Sequence, residues 1–122
     1  MNNKALGTNF ERVTCKELAQ FGWWVHFIAP DARGAQPFDI IAVRDGIAVA
    51  IDCKTSVRSV FPMSRLQDNQ VFAFDKWLKS GNKYCYLIVE YQGDSYAIDY
   101  QQLKMAGKVN IVDCMRMEAI FK

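Results

Sequence analysis

Phe38-Asp39-Ile40-Ile41-Ala42-Val43-Arg44-Asp45-Gly46-Ile47-Ala48-Val49-Ala50-Ile51-Asp52-Cys53-Lys54 is the stretch from which the fold of this chain can be read. Two runs rich in β-branched and small apolar residues are parted only by Asp45-Gly46. An Asp-Gly pair between such runs marks a tight type I′ hairpin. Both faces of the hairpin are apolar, so it belongs in the middle of a sheet covered on each side. With a two-residue turn Arg44 pairs with Ile47, and counting back along both strands sets Asp39 directly opposite Asp52. Cross-strand partners share a face with Cβ atoms about 5 Å apart. Lys54, two residues beyond Asp52, emerges on the same face. Two like charges about 5 Å apart repel by about 3 kcal/mol at an effective dielectric near 20. Such a pair costs stability unless a cation, a shared proton or Lys54 offsets it. Oxygen donors with no histidine or thiolate in reach suit Mg²⁺ or Mn²⁺. The plain structural alternative is a strand-start Asp39 and an Asp52–Lys54 ion pair, and it leaves their meeting on one buried face without a cause.

The flanking sequence fills in the layers. Phe10, Thr14, Leu18 and Phe21 fall on one helical arc between about 8 and 21, and Gly22 stops that helix. The stretch 23–29 is aromatic and β-branched and is expected as a strand. Residues 30–37 form a polar loop carrying Arg33, and 55–64 a second loop carrying Arg58 and no acidic residue. A second helix is expected over 64–79, with Leu66, Phe74, Trp77 and Leu78 as its apolar stripe. Strands follow at 84–91 and 95–99 around Gln92-Gly93-Asp94, then a short helix near 101–105 and a strand near 109–112. The class is an α/β fold with a mixed β-sheet, a central antiparallel hairpin and flanking helices, all in a single domain spanning 1–122.

Two polar residues stand on apolar faces. Glu11 lies at one edge of the first helix's arc and Glu17 at the other, and periodicity does not choose between them. Thr8-x-x-Glu11 also has the form of a capping box, which would occupy Glu11 locally. Gln70 sits four residues from both Leu66 and Phe74, an amide within an apolar stripe. A buried amide needs partners, so Gln70 either caps backbone groups or faces the carboxylates.

Composition narrows the classes. The 122 residues are 51% apolar and 23% charged, with fifteen basic against thirteen acidic side chains and a net charge of +2, so any basic surface must be local. The single histidine, His26, argues against mechanisms needing several imidazoles. Cys15, Cys53, Cys85 and Cys114 form no C-x-x-C pair and read as buried thiols of a reducing compartment. Met1-Asn2-Asn3-Lys4 runs into a helical pattern rather than an apolar signal segment, and no run is long enough for a membrane helix. A cytoplasmic place in a bacterial, archaeal or phage-infected cell is expected.

Gly7-x-x-Phe10-Glu11, Pro37-Phe38-Asp39, Asp52-x-Lys54 and a later helix bearing Gln70 together resemble the PD-(D/E)XK nuclease superfamily. More narrowly the chain is similar to Holliday-junction resolvases of the bacterial RecU type and of the archaeal type, over about 6–103. The resemblance implies a restriction-endonuclease-like core. It implies that Glu11, Asp39 and Asp52 hold Mg²⁺ (Mn²⁺ as a substitute) and that Lys54 positions or activates the attacking water, with Gln70 beside the metal. It also selects Glu11 over Glu17. The chain departs from both types at residues 30–37, a short loop without the serine usual in the archaeal type. The expected activity is Mg²⁺-dependent endonucleolytic cleavage of branched DNA by a crossover-junction resolvase. Arg33, Arg58 and Arg65 are the candidate phosphate contacts, which position DNA without reading its sequence. The expected partners are four-way junctions and a second copy of the chain, the aromatic residues Trp23, Trp24, Phe27, Tyr84 and Tyr86 being available to the dimer. A nuclease of the same superfamily for flaps, damaged or foreign DNA, or a silent DNA-binding module, would share most of these features.

Overall fold

The Asp45-Gly46 turn forms as its residues require, with φ of 53° at Asp45 and 77° at Gly46. Two consecutive positive φ angles define type I′, which matches the twist of the strands it joins, and aspartate and glycine tolerate them best. The computed structural model describes residues 3–29 and 36–122, with side chains from Asn9 onward. Helix α1 is Asn3–Gln20, followed by strands β1 (Trp24–Phe27), β2 (Ile40–Arg44), β3 (Ile47–Ser56) and β4 (Val60–Pro62). Helix α2 is Asp68–Lys79, then come β5 (Tyr84–Tyr91), β6 (Asp94–Asp99), α3 (Tyr100–Ala106), β7 (Lys108–Asn110), β8 (Met115–Arg116) and α4 (Met117–Phe121).

Six strands make one mixed sheet in the order β1-β2-β3-β5-β6-β8. β3 and β5 are parallel, joined across α2, and the other neighbours are antiparallel. The long hairpin strand β3 is therefore interior, as its two apolar faces demand. On one face Phe10 and Leu18 of α1 and Met117 and Phe121 of α4 pack on Ile40, Val49, Ile51 and Ile88. On the other, Phe74 of α2 and Tyr100 and Leu103 of α3 pack on Ala50, Leu87, Val89 and Ile98. Each buried Val, Leu, Ile, Phe or Met among these contributes about 1.5–3 kcal/mol of transfer free energy. No helix among the described residues is long and apolar enough to cross a membrane.

The sequence expectations fail between the hairpin and α2. Residues 55–64 are not one loop: β3 continues through Ser56, and Val60–Pro62 is a strand that pairs antiparallel with β7 in a separate two-stranded sheet. Pro62 lacks an amide donor and precedes a 3-10 turn at Met63–Arg65, so α2 begins at Asp68 and not at 64. β8 and α4 were not expected from the pattern.

Candidate active site

The hairpin brings its two aspartates together by a different route from simple cross-strand pairing. Register holds from Arg44↔Ile47 to Ile40↔Ile51. One residue further the ladder breaks, because the Asp39 amide donates to the Ile51 carbonyl at 3.1 Å while Ile28 donates to the Asp39 carbonyl at 2.7 Å. The Asp39 carboxylate reaches across the end of the ladder and accepts the Cys53 amide at 2.8 Å through Oδ2. Phe38 causes the break. It turns into the α2 side, stacking on Phe74 at 5.4 Å between centroids and meeting Trp77 edge-on at 5.8 Å. The carboxyls of Asp39 and Asp52 nonetheless lie within hydrogen-bonding reach of each other. Both are buried, Asp39 at 6% and Asp52 at 1% exposure.

Their environment is poorly suited to two negative charges. Burial pushes the Asp52 carboxyl well above the ordinary carboxylate range, and the charge of Asp39 pushes it further, with Lys54 pulling the other way. Burial also raises Asp39, against the Cys53 amide that favours its ionised form. Burial and mutual repulsion thus both work against full ionisation of the pair. Lys54 stands on the same side, its Nζ 3.3 Å from Asp52 Oδ2. Gln70 closes the cluster. Its Nε2 donates to Asp52 Oδ1 and Oδ2 at 3.3 and 3.2 Å, and its Oε1 accepts from Lys54 Nζ at 3.2 Å. The same Oε1 takes the Gln67 amide at 3.0 Å. The two uses open to Gln70 in the sequence are both realised: it caps the start of α2 and faces the carboxylates.

Glu11 comes to the edge of this group. α1 begins at Asn3, so Thr8 and Glu11 lie inside the helix and are not its capping box. Glu11 is half-buried, and its pKa is pushed up to about 7 by burial and by the charge of Asp39, against the pull of Lys54. Glu11 thus lies close enough to Asp39 and Lys54 for both charges to act on it. A carboxyl raised in the folded state favours folding below its unfolded pKa, and that stability is lost as pH rises through the folded value. The metal-free protein is therefore expected to lose stability between about pH 4.5 and pH 7. The full shift of Glu11 corresponds to about 3 kcal/mol, and solvent screening of a half-exposed group reduces this to about 1 kcal/mol. Urea denaturation in EDTA across pH 5 to 8 checks the sign: Glu11→Gln flattens the fall, whereas a midpoint that climbs with pH contradicts it.

Comparison with known proteins fits this geometry. The family model described as archaeal Holliday junction resolvase (Hjc) matches residues 2–120. The chain belongs to that family. It is a Holliday-junction-resolving endodeoxyribonuclease. No curated protein sequence matches it. Among solved structures, Hjc from the archaeal hyperthermophile Archaeoglobus fulgidus superposes with a TM-score of 0.73 at 20% identity, covering 95% of this chain and 100% of that one. The bacterial homing endonuclease I-Ssp6803I superposes with a TM-score of 0.60 at 15% identity, covering 88% of this chain and 73% of that one. Both likenesses are of fold, and the restriction-endonuclease-like core is the fold they share with this resolvase.

The side chains that converge here offer oxygen donors. The Cys53 thiol, on the opposite face of β3, is pushed far up by burial and by Asp39 and Asp52, and the Cys15 thiol is pushed up to about 11 by burial and by Glu11. Both stay protonated at neutral pH, which leaves hard-cation chemistry as the fit for the buried pair. Among the described residues no three His, Cys, Asp or Glu side chains converge closely enough to cage an ion by themselves. The carboxylates that meet are Asp39 and Asp52, with Glu11 outside them. A cavity of about 650 Å³ opens beside Lys54, bordered by Asn9 and Phe10 of α1, by residues 53–57 and by Arg65. Arg65 is exposed, donates to the Thr55 carbonyl at 2.9 Å and lies over the Phe61 ring at 5.1 Å. Arg58 is exposed in the turn after β3, and Arg33 lies outside the described residues. Sequence reading gave Asn69, within the Asp68-Asn69-Gln70 run, no role, yet its side chain donates to the Gln36 carbonyl at 2.9 Å and so ties α2 to the approach of Asp39. A helix-start asparagine next to Asp68 gave no sign of that distant partner.

Proposed function

We propose that this resolvase hydrolyses phosphodiester bonds at the open end of the β2–β3 hairpin, with Asp39, Asp52 and Glu11 as the ligands of Mg²⁺ and residues 1–122 serving as one nuclease domain. The observation that carries the reading is the burial of Asp39 and Asp52 side by side with Lys54 as their one close cation among the described residues, an environment that raises both carboxyls. A divalent cation bound there, Mg²⁺ or in its place Mn²⁺, supplies Lewis-acid polarisation of the scissile phosphate and acidifies water. Asp39 is held for this by the Cys53 amide, and Asp52 by the Gln70 amide. Lys54 is a point cation next to the carboxylates, suited to steady the negative charge that builds on phosphate during attack. Gln70 acts as a positioning residue, because one amide fixes Asp52 and Lys54 together. The test compares cleavage of labelled four-way junction, flap, duplex and single strand with Mg²⁺ and with EDTA. Cutting of the junction that stops in EDTA is expected, and metal-independent cutting overturns the reading.

Arg58 and Arg65 border the path from the cavity and are inferred to contact phosphates, as is Arg33. Arg65→Ala is expected to weaken binding to all sequences alike and to reduce the slope of log affinity against log salt by about 1. Filter-binding or anisotropy titrations at several salt concentrations measure it, and an unchanged slope would move the DNA face elsewhere.

A homodimer is inferred from the substrate, since a four-way junction offers two symmetry-related strands and a twofold assembly offers two matching sites. Of the aromatic residues considered for that contact, Trp23 is buried, whereas Trp24, Tyr84 and Phe27 are 62%, 41% and 37% exposed. Light scattering should give twice the 14.0 kDa chain mass, and a monomer that persists with bound junction contradicts paired cutting.

A further inference from the structure

The turn leaving β3 three residues after Lys54 presents an aliphatic side chain to solvent and is held firmly while doing so. Val57 is 97% exposed, the most exposed of the large apolar residues described. On one side of it the Ser56 hydroxyl donates to the Arg58 carbonyl at 2.7 Å and accepts the Arg58 amide at 3.3 Å, closing the turn. On the other, Ile111 donates to the Ser59 carbonyl at 2.8 Å, and Val60 and Phe61 pair with Asn110 and Val109. Fully buried Phe61 anchors the segment in the core, and Arg65 ties its base to Thr55. Val57 borders both the 650 Å³ cavity beside Lys54 and a second one of about 350 Å³ formed with Arg58, Val60, Pro62 and Arg65. No acidic residue occurs between Asp52 and Asp68. A firmly held apolar tip beside two guanidiniums, on a stretch with no acidic residue of its own and with Glu90 of β5 across the larger cavity, is suited to nucleic acid with exposed bases.

We propose that Val57, backed by Val60 and Pro62, is a wedge that packs on the base faces left open at the centre of a branched DNA, and so is a specificity-determining residue of this resolvase. The proposal rests on the site reading above. Three extended residues carry the chain about 10 Å from Lys54, which is about three base steps of 3.4 Å. In continuous duplex each base face is covered by its neighbour, and an apolar side chain gains contact only after unstacking a step. At an open, unstacked branch, as expected in EDTA, the helical arms end without a stacked neighbour, and that cost is already met. Phosphate contacts from Arg58 and Arg65 would hold either substrate alike, so the apolar contact is what separates them.

The test is the ratio of affinities for a four-way junction and for a duplex of matching sequence, measured by anisotropy in EDTA. Val57→Ser is expected to lower that ratio about tenfold, the loss of one buried aliphatic contact, and Val57→Met to restore most of it. An exposed position makes both variants safe for folding, which circular dichroism checks. An unchanged ratio, or an equal loss on junction and duplex, overturns the wedge. Asp52→Asn cleavage is assayed alongside. Inactive Asp52→Asn with an unchanged Val57→Ser ratio removes the wedge alone, whereas active Asp52→Asn removes the site reading on which it stands.

Discussion

Asp52→Asn is expected to lower cleavage of a four-way junction by about 10³ or more while leaving the metal-free protein as stable as the parent or slightly more so. The two effects have one origin. Asp52 is 1% exposed and held against Asp39, where burial and the neighbouring charge favour its protonated form. Asparagine resembles that form, and its amide can still donate to Asp39 and accept from Gln70. Folding then loses little, and the residual repulsion within the pair disappears, a gain of no more than about 1 kcal/mol. On the proposed reading a metal ligand, by contrast, is lost outright. An Asp52–Lys54 bridge that existed only for stability predicts the reverse, a destabilised variant with undiminished cleavage. Thermal melts in EDTA beside single-turnover cleavage distinguish the two.

Lys54→Ala is expected to lose about 10² in cleavage and, unlike Asp52→Asn, to destabilise the metal-free protein by about 1–3 kcal/mol. Its ammonium lies 3.3 Å from Asp52 Oδ2, with the side chain 17% exposed. Its charge opposes the rise in pKa of Asp39, Asp52 and Glu11 alike. Without it the carboxyls hold their protons to higher pH, so the residual activity of the variant should begin at higher pH than that of the parent. A simple loss of packing would lower stability without moving the pH profile. The profile is therefore the readout that assigns Lys54 its electrostatic role.

The parts of the site that local chemistry decides could be read from the sequence. The Asp-Gly turn sets the register of β2 and β3, and with it the approach of Asp39 to Asp52 and the emergence of Lys54 beside them. The manner of their meeting could not, because it depends on Phe38 leaving the strand to stack on Phe74 of a helix more than thirty residues away. Gln70 was ambiguous for a similar reason. An amide at a helix start serves its own backbone in any context, and only the docking of α2 on the sheet gives it Asp52 and Lys54 as well. The β4–β7 sheet escaped the reading because it joins two three-residue strands distant in the sequence. Each is too short to show a period, and their pairing is fixed by the burial of Phe61. α4 is likewise a single turn and a half, with Met117 and Phe121 apolar at a spacing that a loop could also carry.

If the buried carboxyl pair receives the catalytic cation, binding of that cation must displace protons. Carboxyls whose ionisation is opposed by burial should shed protons when a divalent ion binds, and Glu11, pushed up to about 7, should contribute. Saturating Mg²⁺ added to metal-free protein in dilute buffer at pH 7, followed with a pH indicator, should release about one proton per chain. The release should grow smaller as the starting pH is raised, and it should be largely lost in Asp52→Asn. Junction cleavage that depends on Mg²⁺ while the parent and Asp52→Asn release the same number of protons, or none, would place the cation away from the Asp39–Asp52 pair.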